Sequence, residues 1–164
     1  MTARRSVWKP IAVAAISAAA VGALGAWITD LGPWYYGLRV PSWKPPDWLF
    51  GPAWTLIFSF AAIAGVLAWR QARTRGAQVT ILALFALNIS LNILWSGLFF
   101  RLQRPDYALA EVGVLWLSVA ALAIGLRRYS KPAGWLIAPY LVWVAFAAVL
   151  NLAIVQRNGP FGGA

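Results

Sequence analysis

The chain has no cysteine, no histidine, one methionine and only four acidic residues among 164. The first two absences exclude disulfides, a thiolate nucleophile, an imidazole base and every His or Cys metal site. Charged residues of both signs make up 11%, and the apolar set AVILMFWYC makes up 62%, where a soluble domain reaches roughly 45–50% even with glycine counted. Too little polar surface remains to keep such a body dispersed in water, so the composition points to a membrane. The apolar content and the lack of a glycine period also exclude disorder and collagen-like repeats. The net charge of +10 does not indicate nucleic acid, because the basic residues sit in short groups between apolar runs and form no basic face.

A window of about 20 residues, the length that crosses roughly 30 Å of hydrocarbon, finds five spans near 11–28, 48–69, 79–100, 107–126 and 133–155. They take up most of the chain. The expectation is an all-α membrane protein: a single bundle of five transmembrane helices, one domain over 1–164. Arg4, Arg5 and Lys9 before an alanine-rich run also resemble a secretory signal peptide. Against cleavage, Ala14, Ala18, Gly22 and Ala26 recur every four residues, a small-residue stripe suited to close helix packing. Arg4, Arg5, Lys9, Arg70, Arg73, Arg75, Arg127, Arg128 and Lys131 fall on one side, nine basic residues against five on the other. That bias predicts a cytoplasmic N-terminus and favours a bacterial inner membrane, with an outer membrane as the alternative. No internal repeat relates the spans, and five does not divide into the paired halves of most secondary transporters.

The segment 29–47 between the first two spans is long and aromatic for a connector. It carries Trp34, Tyr35, Tyr36 and Trp43 among Pro33, Pro41, Pro45 and Pro46, with Arg39 and Lys44. Proline fixes φ and extends its predecessor, so a stiff, extended strap is expected, without helix in its proline-rich half. Such a strap would serve as a lid over the bundle end or as an interfacial aromatic belt. In the third span Asn88, Asn92 and Ser96 share a stripe with Trp95 beside it, and amides facing lipid would be unsatisfied, so this stripe is expected to point inward. The fifth span aligns Tyr140, Trp143, Ala147 and Asn151; the second aligns Trp54, Phe58, Ala61 and Gly65. Aromatic and small residues on one face of three spans suggest a largely apolar pocket with few polar groups. Glu111 is the one acid well inside a span, either functional or held near the headgroups by Arg101 or Arg104.

Taken together, WKPPDWLFGPAWT (43–55), LNILWSGLFF (91–100), YALAEVGVLW (107–116) and PYLVWVAFAAVLN (139–151) resemble the tryptophan-rich sensory protein and translocator protein family, TspO/MBR. The resemblance runs from the first span to the fifth. It implies a five-helix bundle, a homodimer in bacteria, and a pocket closed by the loop 29–47. It also implies binding of tetrapyrroles such as protoporphyrin IX or haem, and of sterols and benzodiazepine-type ligands. By motif, Trp54 and Trp143 correspond to pocket tryptophans that some bacterial members use in light- and oxygen-dependent porphyrin breakdown. Asn92, Trp95 and Phe99 correspond to the third-helix wall, and Ala147 and Asn151 to the fifth; Trp43, Phe50, Phe58, Tyr140 and Phe146 complete the expected ligand-binding set. The segment 150–157, LNLAIVQR, lacks the tyrosine of the animal cholesterol-recognition pattern, which argues against a sterol there.

The composition constrains that picture. Without His, Cys or an internal Met, Tyr is the one common axial ligand left for haem iron, so a metal-free porphyrin suits the chain better. Three functions follow: a membrane tetrapyrrole binder acting as sensor, scavenger or carrier, with Trp54 and Trp143 flanking the macrocycle and Arg39 and Lys44 near its propionates; a photo-oxidase using the same tryptophans; and a tetrapyrrole or sterol transporter. None requires a resident cofactor, a metal or a nucleic-acid partner.

Overall fold

The computed structural model describes residues 8–161. Arg4 and Arg5 of the charge count lie outside them. Five stretches are long and apolar enough to cross a membrane: Trp8–Ile28, Asp47–Gln71, Arg75–Arg101, Pro105–Arg127 and Lys131–Asn158. No strand occurs among the described residues.

The first stretch is helix α1 (Trp8–Ile28). A one-turn helix α2 (Pro33–Gly37) follows, then a 3-10 turn at Asp47–Leu49 that feeds α3 (Phe50–Gln71). Segment 29–47 is thus not extended throughout: Pro33 takes the first helical turn, where its missing N–H is no loss, and the chain extends again from Leu38. The proline-rich part has no helix before Asp47.

Helix α4 (Arg75–Ser96) starts at Thr74, whose hydroxyl accepts from Ala77 N at 3.1 Å. It runs on into a π-helical turn at Gly97–Arg101, where Leu102 N reaches back to Gly97 O. Helix α5 (Pro105–Arg127) begins with proline at its first turn. The last stretch is broken into α6 (Lys131–Leu136) and α7 (Ala138–Asn158) by a turn at Ile137. Pro139 accounts for the break: it has no N–H to offer Trp135 O four residues earlier.

Helix α5 lies between α4 and α7, while α6 packs on α5 and α3. The core runs through Leu115, Val119, Leu122 and Leu126 of α5 to Ala61, Ala64 and Ala68 of α3 and to Tyr140 and Val144 of α7. Leucines and isoleucines such as Leu56, Ile63, Leu87 and Leu117 point outward, as expected of faces that contact acyl chains. Helix α1 contributes only Ile28 to the buried set and packs mainly on α3.

Two glycines sit at crossings of unequal tolerance. A Cβ on Gly134 would come within 2.6 Å of Arg127 Cβ and 2.9 Å of the Ala123 carbonyl oxygen, whereas one on Gly125 would meet only the end of Leu84 at 2.4 Å. Backbone cannot move aside as a leucine methyl can. Gly134→Ala is therefore expected to lower thermal stability by about 1–3 kcal/mol, and Gly125→Ala by clearly less, with helix propensity offsetting part of the cost. Melting of both variants in one detergent checks this; equal losses would refute the distinction.

Candidate ligand-binding site

Two polar residues of α4 set the register of the interior. Asn88 Nδ2 donates to Ser118 Oγ of α5 at 3.0 Å, and Ser118 Oγ donates to Leu115 O at 2.7 Å. One turn on, Asn92 Nδ2 donates to Tyr140 Oη of α7 at 3.1 Å. Asn88, Asn92, Ser118 and Tyr140 are all buried. In hydrocarbon each unpaired group would cost several kcal/mol, so these pairs hold α4, α5 and α7 in one alignment.

Above them, beneath α1 and segment 29–47, lies a cavity of about 880 Å³. Its α1 wall includes Ala15, Ala18, Gly22 and Ala26, so three of the four small residues spaced by four face this space, while α1 keeps its packing on α3. Opposite stand Trp54 and Phe58 of α3, Asn92 and Trp95 of α4, and Trp143 and Ala147 of α7; Tyr35 and Phe50 line the loop end. Trp54 stacks on Phe58 with ring centroids 5.1 Å apart and meets Trp143 edge-on at 6.3 Å and 80°. The two tryptophans therefore form one corner of the wall, with no gap between them for a planar guest. A flat molecule would lie against that corner.

Several expected ligand-binding residues stand behind this wall. Tyr140 backs Trp54 at 5.9 Å, and Phe146 backs Trp143 at 5.6 Å with Trp43 packed on its outer side. Asn151 faces α5: with its amide turned to suit its partners, it donates to Pro105 O at 3.0 Å and accepts from Leu109 N at 3.1 Å. Phe99 is buried between Trp95 and Trp34. Its neighbour Phe100 lines the cavity instead, because the π turn inserts one residue into the helical count. No spacing in the sequence signals that insertion. Val112 and Leu115 of α5 also reach the cavity, having been passed over as ordinary apolar residues.

Segment 29–47 is fastened at both ends of its crossing. Tyr35 Oη donates to Asp47 Oδ1 at 2.6 Å, and Lys44 pairs with the same carboxylate. Burial first, then the bond to Asp47, push the Tyr35 phenol above its ordinary range, so it stays a proton donor at neutral pH. Farther along, Arg39 N donates to Asn158 Oδ1 at 2.7 Å and Asn158 Nδ2 to Arg39 O at 2.9 Å, tying the strap to the end of α7. Lys44 is engaged with Asp47, and Arg39 and Tyr36 are exposed. Arg101 donates to Trp27 O and lies 5.1 Å from the Trp27 ring, holding the end of α1. Arg104 pairs with Asp106, its guanidinium pushed above the ordinary range mainly by that hydrogen bond. Neither arginine therefore serves Glu111, whose two buried carboxyl oxygens have no hydrogen-bond partner among the described residues.

Among the described residues no group of three His, Cys, Asp or Glu is placed to hold a metal.

Removing the clasp should loosen the strap without melting the bundle. Asn158→Ala deletes the two hydrogen bonds to the strap, worth about 0.5–1.5 kcal/mol each, along with one to Ile154 O in its own helix, so amide exchange of residues 38–46 is expected to quicken about tenfold. Unchanged protection there would show that the clasp does not hold the strap.

The chain matches the TspO/MBR family over residues 12–157. It is 41% identical to the Tryptophan-rich protein TspO of Chlorobaculum tepidum, covering 85% of this chain and 89% of that one. A second Tryptophan-rich protein TspO, from Archaeoglobus fulgidus, is 38% identical over 85% of this chain and 90% of its own. The Translocator protein of Ovis aries is 34% identical over 76% of this chain and 75% of its own.

Proposed function

We propose a function from the premise these matches establish, that the chain belongs to the TspO/MBR family and is a multi-pass membrane protein: it binds a tetrapyrrole, preferentially a metal-free porphyrin, in the cavity beneath α1. The observation that carries the reading is the corner of Trp54 and Trp143 on the wall of a cavity of about 880 Å³. That volume lies within the range of small-molecule sites, roughly 300–1,000 Å³. The wall is largely apolar and aromatic, with Thr29, Asp47, Thr55, Ser59, Asn92 and Ser96 as its polar groups beside the Tyr35 hydroxyl. Aromatic contacts contribute about 0.5–1.5 kcal/mol each beyond area burial.

Haem iron would find poor ligation: of the two buried tyrosines near the cavity, Tyr35 donates to Asp47 and Tyr140 accepts from Asn92. In this reading the protein is a sensor, scavenger or carrier, inserted in a bacterial inner membrane with its N-terminus on the cytoplasmic side and working as a homodimer.

Titration with protoporphyrin IX, followed by quenching of tryptophan fluorescence, tests the proposal. Trp54→Ala and Trp143→Ala are each expected to weaken binding about tenfold, a change of about 1.4 kcal/mol. Unchanged affinity in the double variant would remove the reading.

A second reading is favoured by the continuous ring contacts Tyr140–Trp54–Trp143: the photo-excited porphyrin takes an electron from an adjacent indole and passes it to oxygen. The indole radical cation then regains an electron from the macrocycle, so that porphyrin is oxidised, oxygen is reduced to superoxide and the indole is restored, the chemistry being supplied by ligand, oxygen and light. Illumination of the complex in air should yield a product with a shifted absorption band that the Trp54→Ala, Trp143→Ala double variant does not form. Bleaching at the rate of free porphyrin would leave binding as the whole function.

A further inference from the structure

The bundle holds a second cavity, of about 460 Å³, at the end opposite segment 29–47. Its walls are the first half of α1 from Lys9 to Val21, the second half of α3 from Phe58 to Trp69, and α4 from Ile81 to Ile89. Ala18, Phe58 and Ala62 border both cavities and form the partition between them. We propose that this cavity is a binding slot for one long acyl chain of an anionic amphiphile, whose head group is held at its mouth by Lys9.

Shape comes first. Lys9 and Val21 are separated by a rise of about 18 Å along α1, close to one leaflet, half of a hydrocarbon core of about 30 Å. Spread over that length, 460 Å³ makes a slot about 5 Å across, the width of one hydrocarbon chain whose carbon contacts lie near 4 Å. A tetrapyrrole is far too broad for it.

The polarity is graded along its length. Lys9 and Trp69 stand at the mouth, the pairing of cation and indole that settles at a membrane interface. Lys9 has no acidic partner among the described residues, where the ion pairs are Lys44–Asp47 and Arg104–Asp106. Between mouth and inner end the walls are aliphatic, aromatic and glycine residues, with Ser17 as the polar exception. Asn88 and Tyr140 reach the inner end, but they are engaged with Ser118 and Asn92. One unpaired cation outside and an apolar run inside complement an anionic head carrying a saturated tail. Helix α1, with a single buried residue, forms one wall of the slot.

The occupant is the acyl chain of a free fatty acid or one of the two acyl chains of an anionic phospholipid; both carry a negative head. The test uses the full-length protein in nanodiscs with two photoreactive probes, a diazirine palmitate and a phosphatidylglycerol bearing the same chain, and maps the labelled peptides by mass spectrometry. At least one probe is expected to label the half-buried Val66, Phe85 or Ile89 more heavily than the outward-facing Val13, Ile63 and Leu87. Which probe does so identifies the source. Ala14→Phe, which fills the slot, should cut this labelling at least fivefold and leave protoporphyrin affinity unchanged; Ala86→Phe repeats the measurement should the first variant not fold. Lys9→Gln should reduce labelling by the anionic probe but not by the matching neutral alcohol.

The proposal is overturned by labelling spread evenly over the outer faces, by labelling that persists in the folded slot-filling variant, or by a sterol probe that labels the slot and resists displacement by palmitate. Each result leaves the porphyrin reading standing, because the slot-filling positions do not line the larger cavity.

Discussion

Lipid tails accept a leucine face as readily as another helix does, so apolar burial alone cannot decide which helices of this bundle meet or in what register. That decision rests on a few hydrogen bonds. Asn88 to Ser118 and Asn92 to Tyr140 join α4 to α5 and to α7 where no water can substitute for a partner. Asn151 adds a third such contact, placing its amide against Pro105 and Leu109 in the first turn of α5. Measured values for single bonds of this kind average only about 0.6 kcal/mol, but wrong registers would strand two amides and a phenol. Their main effect is therefore to penalise misalignment.

With α4, α5 and α7 so aligned, the larger cavity follows from what the remaining helices carry. Helix α3 brings Trp54 and Phe58, stacked on each other, to face the interior. Helix α1 brings alanine and glycine, which leave the space opposite unfilled. Segment 29–47 then crosses the end and is fastened at Asp47 and Asn158. Phe58 has a part in each space: one side supports the tryptophan corner, and the other faces the narrower slot.

Much of this was legible in the sequence for a simple reason. In a bilayer, hydropathy and the satisfaction of amides are strong constraints, so five apolar runs and an inward Asn88–Asn92 stripe could be read directly. Trp54, Trp143 and Trp95 could be placed by helical spacing together with family resemblance. Departures arose where local backbone changes the count. The π turn at Gly97–Arg101 exchanges the places of Phe99 and Phe100, and the short helix at Pro33–Gly37 folds part of a strap expected to be extended. Spacing also could not tell whether the stripe Ala14, Ala18, Gly22, Ala26 was a contact or a void, since small side chains serve both. Nor could it show that Trp54 and Trp143 meet at a right angle.

The light attachment of α1 separates two properties that are usually bound together. Since α1 supplies a wall to both spaces but only Ile28 to the buried core, replacing its small residues by slightly larger or smaller ones would reshape what the protein admits while the three-helix framework keeps its strength. Selectivity can in this way drift across generations along a single face of one helix, leaving intact the scaffold on which folding depends.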